Sequence, residues 1–167
     1  MKRSRESSTK SDKSSNKHQK KEDEADVFFR ACYDGDLDLV KDWISLGKVN
    51  VEAKDSDGRS GIHFAARNGK VDIVKVLLQN GADVNAATED KWTSLHIAAQ
   101  EGYVDVAKVL LENGADVNAV ELEYNWTALH FAAWHGYVDV AKVLLENGAD
   151  VNAVDKVKSS ALHWAAT

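Results

Sequence analysis

The stretch GYVDVAKVLLENGADVNA stands at residues 102–119 and again at 136–153 without a single change, yet the residues just ahead of it read AAQE in one copy and AAWH in the other. A chain that copies eighteen residues and rewrites the pair before them is assembled from a repeated unit. Working outward, IHFAARNGKVDIVKVLLQNGADVNA (62–86) aligns with LHIAAQEGYVDVAKVLLENGADVNA (95–119) and LHFAAWHGYVDVAKVLLENGADVNA (129–153). His63, His96, His130 and His163 mark the register, in steps of 33, 34 and 33 residues, and a weaker copy, FFRACYDGDLDLVKDWISLG, occupies 28–47.

Each unit reads as two short helices. Ser60, Thr93, Thr127 and Ser160 stand where a hydroxyl can take up a free backbone N–H at a helix start. Gly69, Gly102 and Gly136 close the first helix, and Gly81, Gly114 and Gly148 the second, where a left-handed residue is needed. Val106, Ala107, Leu110 and Leu111 make an apolar stripe too wide for one buried contact, so the second helix is covered on both sides and the units stack. The polar segments between units, such as NAATEDKW, suit a tight turn or hairpin.

The period and the run from TSLHIAA through GADVNA resemble the ankyrin repeat over residues 26–167. The resemblance implies an all-α repeat solenoid of L-shaped units, each with a hairpin finger and two antiparallel helices, whose concave face is made of finger tips and first helices. It divides the chain into a divergent repeat at about 26–57, repeats at about 58–90, 91–124 and 125–157, and a truncated one at 158–167. Its constant residues build the stack, its varied ones face a partner protein, and its histidine hydrogen-bonds locally to hold the turn. Family members usually carry proline just before the LH pair. Here Gly61, Ser94, Ala128 and Ala161 hold that place, and each absent proline forgoes roughly 0.4–1 kcal/mol.

The rewritten pairs Gln100–Glu101 and Trp134–His135 then fall on outward positions at the end of a first helix, as do Arg67 and Asn68 one unit earlier. Trp134 replaces a glutamine in a nearly identical copy, which marks it as the centre of a partner site. Glu123, Tyr124 and Trp126 flank it on a finger whose VELEYNW is one residue longer than ATEDKW, so its tip should project or bend differently. Arg59 and Trp92 complete the set from the earlier fingers; for Trp92 and Trp126, packing and partner contact stand as equal readings.

The remaining features point away from chemistry. Equivalent helices of neighbouring units lie about 8–10 Å apart, whereas ligands of one zinc each sit near 2.0–2.1 Å from it, so the four histidines cannot share an ion. The sequence has neither a phosphate-binding glycine loop nor a nucleophile elbow, and it calls for no cofactor. Asp72, Asp105 and Asp139 fall in the first turn of each second helix, where negative charge suits the dipole. Cys32, the only cysteine, occupies the small-residue place held by Ala66 in the next unit and reads as a buried filler.

The net charge of −6 is unevenly spread. Residues 1–21 carry eight basic side chains against Glu6 and Asp12, while the rest carries 13 basic and 25 acidic residues, a net of −12 that repels nucleic acid. Residues 1–25 lack the apolar side chains to fold and read as a disordered tail. Its clusters KRSR and KHQKK also have the form of a nuclear-import signal. With one cysteine and no apolar run of the roughly 18–20 residues that span a bilayer, the expected setting is intracellular, cytoplasmic or nuclear. The expected function is non-catalytic binding of another protein by a monomer, unless the uncapped C-terminal end self-associates. The alternative is the targeting part of a larger effector or enzyme, since ALHWAAT stops one helix into a new unit.

Overall fold

The structure, a computed structural model, describes residues 23–166. The expected tail lies outside the described residues as far as residue 22. Asp23 caps the first helix, and Glu24 and Ala25, assigned above to the tail, are the first two residues of that helix.

Among the described residues the chain forms α1(Glu24–Asp34), α2(Leu37–Ser45), α3(Gly61–Arg67), α4(Val71–Gln79), α5(Ser94–Glu101), α6(Val104–Glu112), α7(Ala128–Trp134), α8(Val138–Glu146) and α9(Ala161–Ala165). Helices this short are marginal alone and form because packing supports them. The odd-numbered helices stack on one another in chain order, the even-numbered ones stack likewise from α2 to α8, and each pair within a unit packs together. The result is a two-layered solenoid with one continuous core. Ile73, Val74 and Leu77 of α4 are buried, as are Val106, Ala107 and Leu110 of α6 and Val140 and Leu144 of α8; Leu111 is only partly covered. Small Ala65–Ala66 and Ala98–Ala99 pairs lie buried along the first helices. Cys32 is buried among them, and burial pushes its thiol up to about 12, so it stays protonated and inert.

The histidine in each of α3, α5 and α7 is a two-way staple. The backbone N–H of Thr93 donates to His96 Nδ1 at 3.1 Å. Nδ1 therefore presents its lone pair and the ring proton sits on Nε2, which donates to the Ala119 carbonyl at 2.9 Å. His63 reaches the Trp92 carbonyl at 3.2 Å and His130 that of Ser159 at 3.3 Å in the same way. Both nitrogens of each ring are spent within the protein. Burial, the larger influence, drives all three imidazoles below their ordinary value against the opposing pull of these hydrogen bonds.

The copied GADVNA segment forms a second staple on the other edge. Asn85 donates to the Gly114 carbonyl and accepts from Asp116 N–H; Asn118 does the same for Gly148 and Asp150. Gly69 and Gly102 hold left-handed backbone, and a Cβ there would meet the rings of Tyr103 and Tyr137 at 2.8 and 3.0 Å. The constancy of GYVDV is thus partly the fit of its tyrosine over the equivalent glycine of the preceding unit. Gly61, in a place the family gives to proline, has Cys32 and Phe28 where a side chain would begin.

Candidate functional site

The fingers are positioned by one acceptor each. Asp55 takes the N–H groups of Asp57 and Arg59, and Asp155 those of Val157 and Ser159, four residues apart from acceptor to last donor. Thr88 Oγ1 holds Trp92 N–H over the same span. The finger with the extra residue uses Glu121 instead, buried to 1% exposure, whose carboxylate takes the N–H groups of Glu123, Tyr124 and Trp126. One more methylene serves a span longer by one residue. The isolated bridge that closes the other three fingers (Lys54 to Ser60, Ala87 to Thr93, Val154 to Ser160) is absent from this one, and Leu122 and Tyr124 stand exposed on it. Successive fingers remain joined by Glu89 N–H to Asp57, Leu122 N–H to Asp90 and Lys156 N–H to Tyr124 carbonyls.

This places an aromatic groove of about 510 Å³ between the last two fingers and the first helices α5, α7 and α9. Its walls are Tyr124, Trp126, Phe131, Trp134 and Trp164, with Gln100, His135, Asp155, Lys156 and Val157 at its edges. Three tryptophans meet in it: Trp126 lies 5.9 Å from Trp134 and 5.4 Å from Trp164, and Trp134 and Trp164 pack edge to face at 5.1 Å. Trp134 is 50% exposed. Beneath them one carboxylate organises the cluster: Asp155 Oδ2 accepts the indole N–H of Trp126 at 3.2 Å and that of Trp164 at 3.0 Å. Burial pushes the Asp155 carboxyl up, but hydrogen bonds from Ser159, Trp164, Trp126 and Val157 outweigh it and hold the group below its ordinary value, ionised at neutral pH.

Of the residues singled out in the sequence, Gln100, Tyr124, Trp126, Trp134 and His135 come together here, with His135 stacked on Tyr137 at 5.6 Å. Glu101 and Glu123 adjoin two of them in the chain. Trp92 is partly buried, 4.7 Å from Phe131, and with Arg59 and Arg67 lines a neighbouring polar recess of about 330 Å³ that also includes Asp57, Glu89 and Asp90. Arg59 is committed locally, paired with Asp55 and Asp57 and 5.2 Å above the Phe64 ring. Asn68 donates to the Tyr33 carbonyl at 2.7 Å and so bridges two units. Sequence reasoning missed Phe131, Asp155, Lys156, Val157 and Trp164. The signal for two of them was present: the residue after each register histidine reads Phe64, Ile97, Phe131, Trp164, a second column of bulky side chains beside the Arg67, Gln100, Trp134 column.

Comparison with known proteins agrees with this architecture. A family model described as ankyrin repeats (3 copies) matches residues 28–121, and one described as ankyrin repeat matches 124–156. Among curated proteins, the palmitoyltransferase akr1 of Schizosaccharomyces pombe is 48% identical over 58 residues, 35% of this chain and 9% of that protein. Alpha-latrocrustotoxin-Lt1a of Latrodectus tredecimguttatus is 40% identical over 58 residues, 35% of this chain and 4% of the toxin. The serine/threonine-protein kinase TNNI3K of Mus musculus is 40% identical over 53 residues, 32% of this chain and 6% of the kinase. The chain spans less than a tenth of the length of each of these relatives. Among the described residues, no helix is long and apolar enough to cross a membrane.

Proposed function

The chain belongs to the ankyrin-repeat family, and from that premise we propose that it is a non-catalytic module that binds another protein through its concave face, centred on the groove around Trp134. The observation that carries this reading is the half-exposed tryptophan at the mouth of an aromatic recess, beside a neighbouring one lined with charge. Aromatic side chains in pockets are the usual anchors of protein interfaces, whereas the charged rim around them contributes little affinity. The stack explains the constant residues, and the varied column explains why Gln100 and Trp134 differ. A photo-crosslinking amino acid placed at position 124 or 134 should capture the partner, while the same group at Lys108, exposed on the opposite layer, should not. Equal capture from both faces would remove the concave groove as the site.

A second reading has one observation in its favour. The relatives named above are more than ten times longer than the stretch they share with this chain. In that reading the array targets a larger effector or enzyme to its partner, and the coding sequence flanking residues 1–167 tests it.

A further inference from the structure

We infer that the group this groove takes from a partner is a cationic side chain, the guanidinium or ammonium end of an arginine or lysine in a basic segment. The inference rests on the docking role proposed above and adds the chemistry of the occupant. Three observations carry it. The three tryptophans line one recess with their ring planes set at 51–75° to one another, and the face of an indole is the best aromatic surface for a cation. Two of those indoles donate their N–H to the same buried carboxylate oxygen of Asp155, which pushes electron density into the rings and makes their faces more negative. Asp155 itself is 6% exposed and its oxygens are filled by the indoles and by the N–H groups of Val157 and Ser159, so it acts through the rings rather than by direct pairing.

The surrounding charge has the same sign. Glu101 and Glu123 adjoin lining residues, Glu121 lies beneath the finger, and the chain from residue 22 onward is net −12. Two cationic or titratable groups oppose this. Lys156 is held away by its own hydrogen bonds, with Nζ donating to the Leu122 and Glu123 carbonyls, and His135 lies flat on Tyr137. A partner's apolar side chain would gain the same burial but nothing from the polarised rings.

The test uses the full chain and two small probes of nearly equal shape, ethylguanidinium chloride and neutral ethylurea, at matched ionic strength. The indole ¹H–¹⁵N signals of Trp126, Trp134 and Trp164 should move together and saturate, with the cation bound about fivefold or more tightly than ethylurea, within the range such contacts supply. The Trp43 signal should stay in place. Trp134→Ala, at a half-exposed side chain, should weaken the response of the other two. Equal binding of ethylurea, or no response from the three indoles, overturns the inference. So does a shift of these signals without any probe when Lys17, Lys20 and Lys21 are changed together to glutamine, since the chain's own basic segment would then be the occupant. Crosslinking at position 134 reads docking whatever the charge of the occupant. A groove that crosslinks a partner but does not distinguish the probes loses only the cation.

Discussion

Ser94 is wholly buried, and its hydroxyl is the one buried side-chain polar atom without a hydrogen-bond partner among the described residues. It occupies the first position of α5, where the later units carry Ala128 and Ala161. A buried hydroxyl left unpaired costs roughly 1–3 kcal/mol. Ser94→Ala should therefore stabilise the array by about 1 kcal/mol, read as a higher urea midpoint with unchanged slope. A lower midpoint would mean that the hydroxyl has a bonding role. At the same place one unit earlier, a Cβ on Gly61 would lie 3.1 Å from both Cys32 Sγ and Phe28, so any side chain there, the family's proline included, would make those two side chains give way by a few tenths of an ångström. Single positions were legible where the reason was local, as with Thr93, whose hydroxyl accepts the His96 N–H at the start of α5. They were not where the reason came from the neighbouring unit: Asn68 reads as outward-facing, but its amide is taken by the Tyr33 carbonyl.

At the scale of the element, the long finger is the informative case. Its extra residue was plain in the sequence, but the compensation was not, because Glu121 looked like one acidic residue among many. If its carboxylate holds three N–H groups through an added methylene, Glu121→Ala should cost about 2–3 kcal/mol: one hydrogen bond to a charged group is worth about 1.5–3 kcal/mol, and the N–H groups freed on the exposed Glu123 and Tyr124 can turn to water. Glu121→Asp should cost less, and removing Leu122 in the same chain should recover much of that loss. Simple addition of the two losses would show that acid and insertion are independent. The first helices carry a pH signature as well. His63, His96 and His130 bind protons less readily folded than unfolded, so the unfolded state holds more protons below the ordinary histidine value. Their contribution is complete above about pH 6.5 and is lost progressively as pH falls below it. The urea midpoint should drop between about pH 7 and 5. His96→Asn should lower stability at pH 7 and flatten that slope; an unchanged slope would assign it to other groups.

For the molecule as a whole, the repeat made the fold legible almost in full, because a solenoid is the sum of one unit and one interface repeated. The groove was half legible. Trp134 stood out as a rewritten residue, while Phe131 and Trp164 sit in a column that stays bulky from unit to unit and so drew no notice, and Asp155 gathers indoles that lie 29 and 9 residues away, a link that no spacing announces. The last helix follows the same arithmetic. It is five residues long, packs on α7 and leaves Leu162 77% exposed, so amides 161–165 should exchange well before amides 95–99 of α5. Comparable protection would require a contact over that end. The central claim is that a half-exposed tryptophan, not the charge around it, holds the partner. The most direct measurement is the affinity of the crosslinked partner, once purified, for Trp134→Ala, with Glu89→Ala as the rim control and the folded fraction of each read by circular dichroism. Trp134→Ala should weaken binding about tenfold or more, while stability falls only by the roughly 0.5–1.5 kcal/mol that each lost aromatic contact with Trp126 and Trp164 supplies. Glu89→Ala should change affinity less than about threefold, mainly through the association rate. A Trp134→Ala chain that unfolds, yet keeps its affinity per folded molecule, would contradict the account and make the tryptophan part of the core.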